Sequence, residues 1–258
     1  MQLTIDVGNS HLVIGIFKDS TLRYHWRANT NRNSTGDELA SLFYNLFVLE
    51  KITFEHIHSI TIASVVPQMQ EAWVHFSRRH LELDPLFVNN DNLDIGMPVL
   101  IDNPTELGAD RIVNAIAAYE KHQSALIVID FGTAITFDCI SAKGEYLGGS
   151  IAPGMAISLD ALGQRTAKLP RVDISTPPEK AMGTNTTTAI KSGILFGYGG
   201  MVEGMVARLK TEMATSTVKV IATGGMAGLI APHAPCIEGV EPMLTLEGLR
   251  LIYERNNA

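Results

Sequence analysis

The hydrophobic pattern at the start of the chain predicts an antiparallel sheet. Apolar residues run from Leu3 to Val7, a polar turn follows at Gly8-Asn9-Ser10, and the chain then alternates from His11 to Phe17. A further short segment, Leu22 to Arg27, comes after a second polar turn. Short runs of this kind, bounded by turn residues, are typical of β-strands. We therefore predict three antiparallel strands.

Helical spacing then alternates with short strands, which predicts an α/β fold. Ser34-Thr35-Gly36-Asp37 resembles a helix start. The apolar residues that follow it at helical spacing are Leu39, Leu42, Phe43, Leu46 and Phe47. A β-branched strand from Ser59 to Val66, a helix opened by Pro67 and a short strand from Pro85 to Val88 complete the pattern βββαβαβ.

The second half of the chain repeats this opening. Its predicted strands are Ala125 to Asp130, Ala134 to Ile140 and Glu145 to Ile151, and its later elements are a helix from Thr186 to about Met213, a strand from Val218 to Ala222 and a helix from Thr245 to Glu254. Ile5-Asp6-Val7-Gly8-Asn9 and Ile129-Asp130-Phe131-Gly132-Thr133 share Ile, Asp and Gly. We interpret this as a duplication. It predicts two lobes, residues 1–122 and 123–258.

Composition narrows the class of partner. A formal charge of −7 offers no basic face for a polyanion, so we expect neither nucleic acid nor an anionic membrane as a partner. Cys139 and Cys236 are the only cysteines, too few for a disulfide framework and too isolated for a metal site. The chain carries no long apolar run. We expect a cytoplasmic protein with a small-molecule substrate.

The two Asp-x-Gly turns carry the candidate chemistry. A strand that ends in Asp-x-Gly exposes backbone N–H groups around a glycine, which suits a phosphate tail, and the Asp can hold a hydrated cation. Either turn alone is equally well an ordinary hairpin turn. Two such turns facing each other across a nucleotide cleft would grip the phosphates of ATP. Thr223-Gly224-Gly225 is either a tight strand-to-helix turn or a surface for adenine.

A further candidate lies in the segment from Asn103 to Ala115, where a turn runs into a helix. Asp110 falls in the first turn of that helix and Arg111 follows it. A carboxylate in this position is often only a partner of the helix dipole. At the edge of a cleft, however, an Asp can accept a proton from an alcohol while an Arg clamps a carboxylate.

These motifs together resemble type III pantothenate kinase, a family of the actin, sugar kinase and Hsp70 superfamily. The matching motifs are Asp6-Val7-Gly8-Asn9-Ser10, Gly108-Ala109-Asp110-Arg111, Asp130-Phe131-Gly132-Thr133-Ala134-Ile135-Thr136, Gly148-Gly149-Ser150-Ile151-Ala152-Pro153-Gly154 and Gly183-Thr184-Asn185-Thr186. The resemblance implies an α/β fold of two duplicated RNase H-like lobes around ATP. It also implies phosphorylation of pantothenate to 4′-phosphopantothenate, the first step of coenzyme A biosynthesis.

The resemblance also assigns roles to residues. It implies Asp110 as proton acceptor, Gly108, Ala109, Asp110 and Arg111 as the lining of the pantothenate site, and Thr186 as a residue that reaches the neighbouring subunit's site in a homodimer. It implies Asp130 as ligand of a monovalent cation, K⁺ or NH4⁺, and Asp6 as a ligand of Mg²⁺ through water. The implied ATP contacts are Asp6, Val7, Gly8, Asn9, Ser10, His11, Leu12, Val13 and Thr133.

One departure and two alternatives stay open at this point. Many relatives carry a Tyr shortly before the Asn-Pro, where this chain has Leu100-Ile101-Asp102, so a substrate contact is lost or replaced there. The same fold would also serve a kinase for another small hydroxy acid or sugar. A non-catalytic regulator that binds ATP and a protein partner is the alternative from another class.

Overall fold

The computed structural model describes residues 1–88, 93–166, 169–215 and 217–257, which form two compact units. The first consists of Met1–Met97, Asp102–Ala117 and Leu244–Ala258, and the second of Pro98–Ile101 and Ala118–Met243. The expected halves, 1–122 and 123–258, therefore differ from the observed units. The chain returns to the first unit at its end, because the last helix packs against the first sheet.

The strands form two five-stranded sheets, one in each unit. They are β1 (Gln2–Val7), β2 (His11–Lys18), β3 (Thr21–Asn29), β4 (Ser59–Ser64), β5 (Leu86–Phe87), β6 (Leu126–Phe131), β7 (Ala134–Ile140), β8 (Tyr146–Pro153), β9 (Lys219–Thr223) and β10 (Gly239–Val240). The sheet orders are β3-β2-β1-β4-β5 and β8-β7-β6-β9-β10. The first three strands of each are antiparallel and the remaining two are parallel to the central strand.

This topology confirms the duplication that the sequence predicts. Asp6 lies opposite Val13 on β2 and Ala63 on β4. Asp130 lies opposite Thr136 on β7 and Thr223 on β9, the equivalent places in the second sheet. Each Asp is therefore carried near the carboxyl end of the central strand of its own sheet. The two-residue strand β10 has no counterpart among the predicted elements, because so short an element shows no periodicity.

The helices follow the strands in the predicted order. They are α1 (Gly36–Leu49), α2 (Gln70–Phe76), α3 (Ala109–His122), α4 (Met155–Arg165), α5 (Thr186–Glu212), α6 (Ala227–Ile230) and α7 (Leu244–Asn256). The predicted start of α1 is confirmed, because Thr35 Oγ1 accepts the Glu38 N–H at 3.3 Å and the Glu38 carboxylate accepts the Thr35 N–H at 2.8 Å. The helix α2 is shorter than a typical helix and continues as a π-helical turn, Ser77–Leu81.

Each unit has its own hydrophobic core. In the first, side chains of β1, β2 and β4 pack against α1 and α2, and the rings of Phe43 and Phe76 lie 4.8 Å apart. In the second, β6, β7 and β9 pack against α5, with Leu195 and Val202 fully buried. The two cores hold the central strands rigidly, so the Asp residues near the ends of those strands are fixed in position.

Candidate active site

The first Asp-x-Gly turn joins β1 to β2 in the first unit. The Gly8 N–H donates to the His11 carbonyl at 3.0 Å, which closes the turn around Asn9 and Ser10. A Cβ on Gly8 would lie 3.0 Å from the same oxygen, so a larger residue would open the turn. Asn9 and Ser10 are exposed at its tip. The turn is therefore a compact loop with two polar residues exposed at its tip.

Residues that follow β3 hold this turn from the side. Thr30 donates its N–H to the Ser10 carbonyl at 3.0 Å and its hydroxyl to the Gly8 carbonyl at 2.7 Å. Arg32 Nη2 donates to Asn9 Oδ1 at 3.0 Å. The sequence motifs contain no signal for Thr30 or Arg32, because both approach the turn from about twenty residues away in the chain.

The His11 ring is the second side chain of this turn with an arginine partner. Arg27 Nη2 lies 3.0 Å from His11 Nδ1. Burial, and then the charge of Arg27, lower the pKa of His11 below its usual value. The imidazole is therefore neutral at physiological pH.

Asp110 lies in the first turn of α3, in the same unit. The Arg111 N–H donates to Asp110 Oδ1 at 2.9 Å, and a Cβ on Gly108 would lie 2.6 Å from that oxygen. Burial raises the pKa of Asp110 above the usual value for a carboxyl, although the Arg111 N–H and guanidinium oppose the shift. Only a glycine at position 108 leaves room for the carboxyl in this position.

The helix that carries Asp110 is anchored on its other face. Ile112 and Val113 are fully buried, and Asn114 Oδ1 accepts the Thr245 hydroxyl of α7 at 2.7 Å. A Cβ on Gly248 of α7 would overlap the Val113 carbonyl, so the two helices approach each other closely there. This contact fixes the start of α3 and with it the position of Asp110.

The second Asp-x-Gly turn lies in the second unit and is closed differently. The Gly132 N–H donates to the Ala134 carbonyl and the Gly154 N–H to the Thr133 carbonyl, each at 3.0 Å. A Cβ on Gly154 would overlap the carbonyl oxygens of residues 132 and 133. Asp130 and Gly224 also approach closely, because a Cβ on Gly224 would overlap Asp130 Oδ1.

Gly224 follows β9 with a φ of 90°, a conformation that favours glycine. The Gly-Gly pair therefore makes the tight turn from β9 towards α6, as one of the two sequence interpretations predicts. The glycine at 224 also leaves space for the carboxyl of Asp130.

Thr186 is the first residue of α5, and its position is set by the residue before it. Asn185 Oδ1 accepts the Thr188 N–H at 2.9 Å and caps the helix. A surface cavity of about 740 Å³ lies beside this helix start. It is lined by Leu162, Leu169, residues 183–186, Ala189, Ile190, Gly193 and Ile194. Thr186 is exposed at the edge of an open, largely apolar surface.

The segment that departs from the family pattern lies against β8. The Tyr146 N–H donates to the Pro98 carbonyl and the Leu100 N–H to the Tyr146 carbonyl, both at 2.8 Å. The methyl Cγ2 of Ile101 would lie 3.8 Å from a Cβ on Gly148. Ile101 is therefore an apolar residue placed beside the Gly148-Gly149 motif.

The predicted site residues are thus divided between the two units. The first unit holds Asp6–Val13 and Gly108–Arg111, and the second holds Asp130, Thr133 and Thr186. Among the described residues, no three His, Cys, Asp or Glu side chains cluster in a way that would hold a metal ion. No helix of the described chain is both long enough and apolar enough to span a membrane.

Comparison with known proteins identifies the family. A family model described as type III pantothenate kinase matches residues 2–208. The type III pantothenate kinase of Citrifermentans bemidjiense is 50% identical over 256 residues, which cover 99% of this chain and 100% of that protein. The chain belongs to the type III pantothenate kinase family. The type III pantothenate kinase of Myxococcus xanthus, 46% identical over the full length of both chains, is a further relative.

Solved structures of more distant proteins share the fold. Component A of (R)-2-hydroxyglutaryl-CoA dehydratase from Acidaminococcus fermentans matches with a TM-score of 0.56 at 13% identity, over 99% of this chain and 97% of that one. An inorganic polyphosphate/ATP-glucomannokinase from Arthrobacter matches with a TM-score of 0.51 at 11% identity, over 97% and 96%. These matches show that the proteins share this fold, and the two equivalent sheets confirm the predicted duplicated α/β fold.

Proposed function

We infer that the protein transfers the γ-phosphate of ATP to pantothenate and forms 4′-phosphopantothenate, the first step of coenzyme A biosynthesis. Membership of the type III pantothenate kinase family carries this inference. The half-buried carboxyl of Asp110 supports it, because a kinase that phosphorylates an alcohol needs a group to accept the hydroxyl proton.

Asp110 is the proposed proton acceptor. Its raised pKa makes the carboxylate a stronger base than that of an exposed Asp. The Arg111 N–H donates to Oδ1 of this carboxylate, and we assign Oδ2 to the substrate hydroxyl. Arg111 follows on the same helix turn, and we assign its guanidinium to the carboxylate of pantothenate.

The turn from Asp6 to Val13 and the turn at Thr133 are the proposed binding sites for the ATP phosphates. Carboxylate oxygens suit hard cations, and both Asp6 and Asp130 lie near the carboxyl ends of central strands, just before glycine turns. We assign Asp6 to Mg²⁺ through water and Asp130 to a monovalent cation, K⁺ or NH4⁺. Such cations would neutralise charge on the phosphates.

We also propose that the protein acts as a homodimer in which Thr186 reaches the pantothenate site of the neighbouring subunit. The exposure of Thr186 supports this, as do two large apolar side chains that are exposed in the same unit. Ile151 is 65% exposed and Met182 81% exposed, and a subunit interface would remove these apolar side chains from water.

A coupled assay of ADP release tests the function. With pantothenate, Mg²⁺ and K⁺ present, the parent protein should release ADP, and Asp110→Asn should abolish turnover while it still binds ATP. Replacing K⁺ by Na⁺ tests the cation at Asp130. A panel of other hydroxy acids and sugars tests the acceptor, and pantothenate should be the preferred one. Absence of pantothenate phosphorylation under these conditions would instead favour a regulator that binds ATP without catalysis.

A further inference from the structure

Two arginines of the first unit bond to side chains of the Asp6–Val13 turn, and neither belongs to the motifs of that turn. Arg27 lies on β3 and its Nη2 is 3.0 Å from His11 Nδ1. Arg32 lies in the loop after β3 and its Nη2 is 3.0 Å from Asn9 Oδ1. These contacts decide which polar atoms the two side chains can offer to a ligand.

The contact with Arg32 fixes the orientation of the Asn9 amide. A guanidinium has five N–H donors and no acceptor, so the amide atom that faces it must be the oxygen. The amide is planar, and its Nδ2 group, with two N–H donors, therefore points away from Arg32. Phosphate oxygens accept hydrogen bonds, so this orientation offers the end of the amide that a phosphate can use.

The contact with Arg27 selects a tautomer of His11 by the same argument. The guanidinium can only donate, so Nδ1 must be the acceptor and the ring proton lies on Nε2. The lowered pKa of His11 agrees with a neutral ring in this position. His11 is thus held as an N–H donor at Nε2 rather than as an acceptor.

The backbone of the turn is held independently of the arginines. Thr30 bonds to the carbonyl oxygens of Gly8 and Ser10, the residues on either side of Asn9. Loss of Arg32 would therefore leave the backbone of Asn9 in place and free only its side-chain torsion. Arg27 and Arg32 are exposed, so their removal should not affect folding.

We propose that Arg27 and Arg32 are positioning residues that orient His11 and Asn9 so that each presents an N–H group to the triphosphate of ATP. The inference rests on the proposed function, because it takes Asp6–Val13 as the phosphate-binding turn. It adds two residues to that site, and each acts through another side chain rather than through its own charge.

Double-mutant cycles distinguish these two modes of action. We expect Asn9→Ala and Arg32→Ala each to raise the KM for ATP and the Kd for the analogue AMP-PNP about five- to tenfold, the loss of one hydrogen bond. The double variant should bind ATP and AMP-PNP no more weakly than whichever single variant has the lower affinity, because Arg32 has no side chain to orient once Asn9 is replaced. His11→Ala and Arg27→Ala should behave in the same way. The KM for pantothenate should not change.

Two further variants test the polarity of the Asn9 amide. Arg32→Lys keeps a donor for Asn9 Oδ1 and should recover most of the ATP affinity. Asn9→Asp keeps the bond to Arg32 but replaces the N–H donors by an acceptor, so it should weaken ATP binding more than Asn9→Ala does. Equal affinity of Asn9→Asp and the parent for AMP-PNP would overturn the proposal.

Arg23→Ala is the matched control for charge. Arg23 is exposed on the same face of β3 as Arg27 and carries the same charge. We expect its removal to change the KM for ATP by less than about twofold. Effects that multiply in the double variants, or an Arg23→Ala effect as large as that of Arg32→Ala, would show that the arginines act only as charges. Binding of AMP-PNP does not require pantothenate, so it tests the roles of Arg27 and Arg32 independently of catalysis. Phosphorylation of pantothenate is tested separately, by ADP release from the parent protein.

Discussion

Replacing Gly108 by Ala should slow catalysis without unfolding the protein. The new methyl group would lie 2.6 Å from Asp110 Oδ1, where ordinary van der Waals contact needs at least 3.4 Å. Gly108 does not have a positive φ, so alanine meets no backbone strain there. The atom that must yield is the end of the Asp110 side chain. The substitution therefore displaces the proposed base and leaves the helix intact.

The size of the effect follows from this displacement. The Asp110 oxygen must move by about 0.4 Å to reach 3.0 Å and by about 0.8 Å to reach ordinary contact, which also strains its 2.9 Å bond from the Arg111 N–H. A misplacement approaching 1 Å in a reacting group costs about 10²-fold in rate. We expect kcat to fall roughly 10- to 100-fold, and the free energy of unfolding to change by less than about 1 kcal/mol.

Steady-state kinetics and chemical unfolding together check this prediction. The assay is ADP release with saturating pantothenate and ATP, and AMP-PNP binding should be unchanged because Asp110 does not hold the nucleotide. Gly200→Ala is the control, since a Cβ there meets no atom within 4 Å. Near-native kcat in Gly108→Ala would refute the assignment of Asp110 as base, and a large loss of stability would refute the side-chain account of the clash.

Three further changes have expected outcomes of their own. Because burial raises the pKa of Asp110, ionisation of this carboxyl destabilises the folded state, and this cost is fully present once the pH has risen through the folded pKa. Asp110→Asn removes the cost and should raise the Tm above that of the parent near pH 7. The difference in Tm should disappear as the pH falls below about 4. Tyr146→Phe removes a hydroxyl that donates to the fully buried Asp138 at 2.5 Å, and we expect a loss of about 1–3 kcal/mol in urea unfolding. Gly248→Ala would force α7 away from the Val113 carbonyl and should cost about 1–3 kcal/mol in urea unfolding.

Controls separate these effects from general disturbance. Tyr44→Phe removes the hydroxyl of a tyrosine that is 61% exposed and should leave stability unchanged. Gly200→Ala serves again as the control for Gly248→Ala. A Tm difference for Asp110→Asn that stays constant between pH 4 and 7 would contradict the burial of that carboxyl, and unchanged unfolding of Tyr146→Phe would show that Asp138 does not depend on the tyrosine.

The sequence alone predicts the elements that carry a regular pattern. The strands of both sheets except β10, and the start of α1 at Thr35, agree with the periodicity and capping residues of the sequence, because these signals are local. The duplication is visible because the Asp-x-Gly motif recurs at the end of equivalent strands. The sequence motif points to Asp110 as a candidate site residue. Only the structure shows that its carboxyl occupies the space that a side chain at position 108 would fill.

The partners of the two turns are not predictable in the same way. Thr30 and Arg32 hold the first turn from the far end of a hairpin, and Gly154 and Gly224 approach the second from β8 and β9. Each is a common residue type with no periodic signal, and its role depends on strand pairing that brings distant segments together. The motif therefore locates each turn, whereas the contacts that fix its geometry come from elsewhere in the chain.

The place of α7 shows why the chain does not divide into its two sequence repeats. Leu244, Leu246 and Ile252 give this helix an apolar face, which periodicity detects, but nothing local says which sheet that face covers. The helix packs on β1, β2 and β4, and a Cβ on Gly15 of β2 would lie 2.8 Å from Leu246 Cδ1. The first sheet is covered on both faces: α1 and α2 pack on the face of Leu3 and Ile5, whereas Thr4 and Thr61 on the opposite face are also fully buried. The last segment of the chain supplies the second cover and at the same time anchors the helix of Asp110, so the C-terminus contributes to the site that the first half carries.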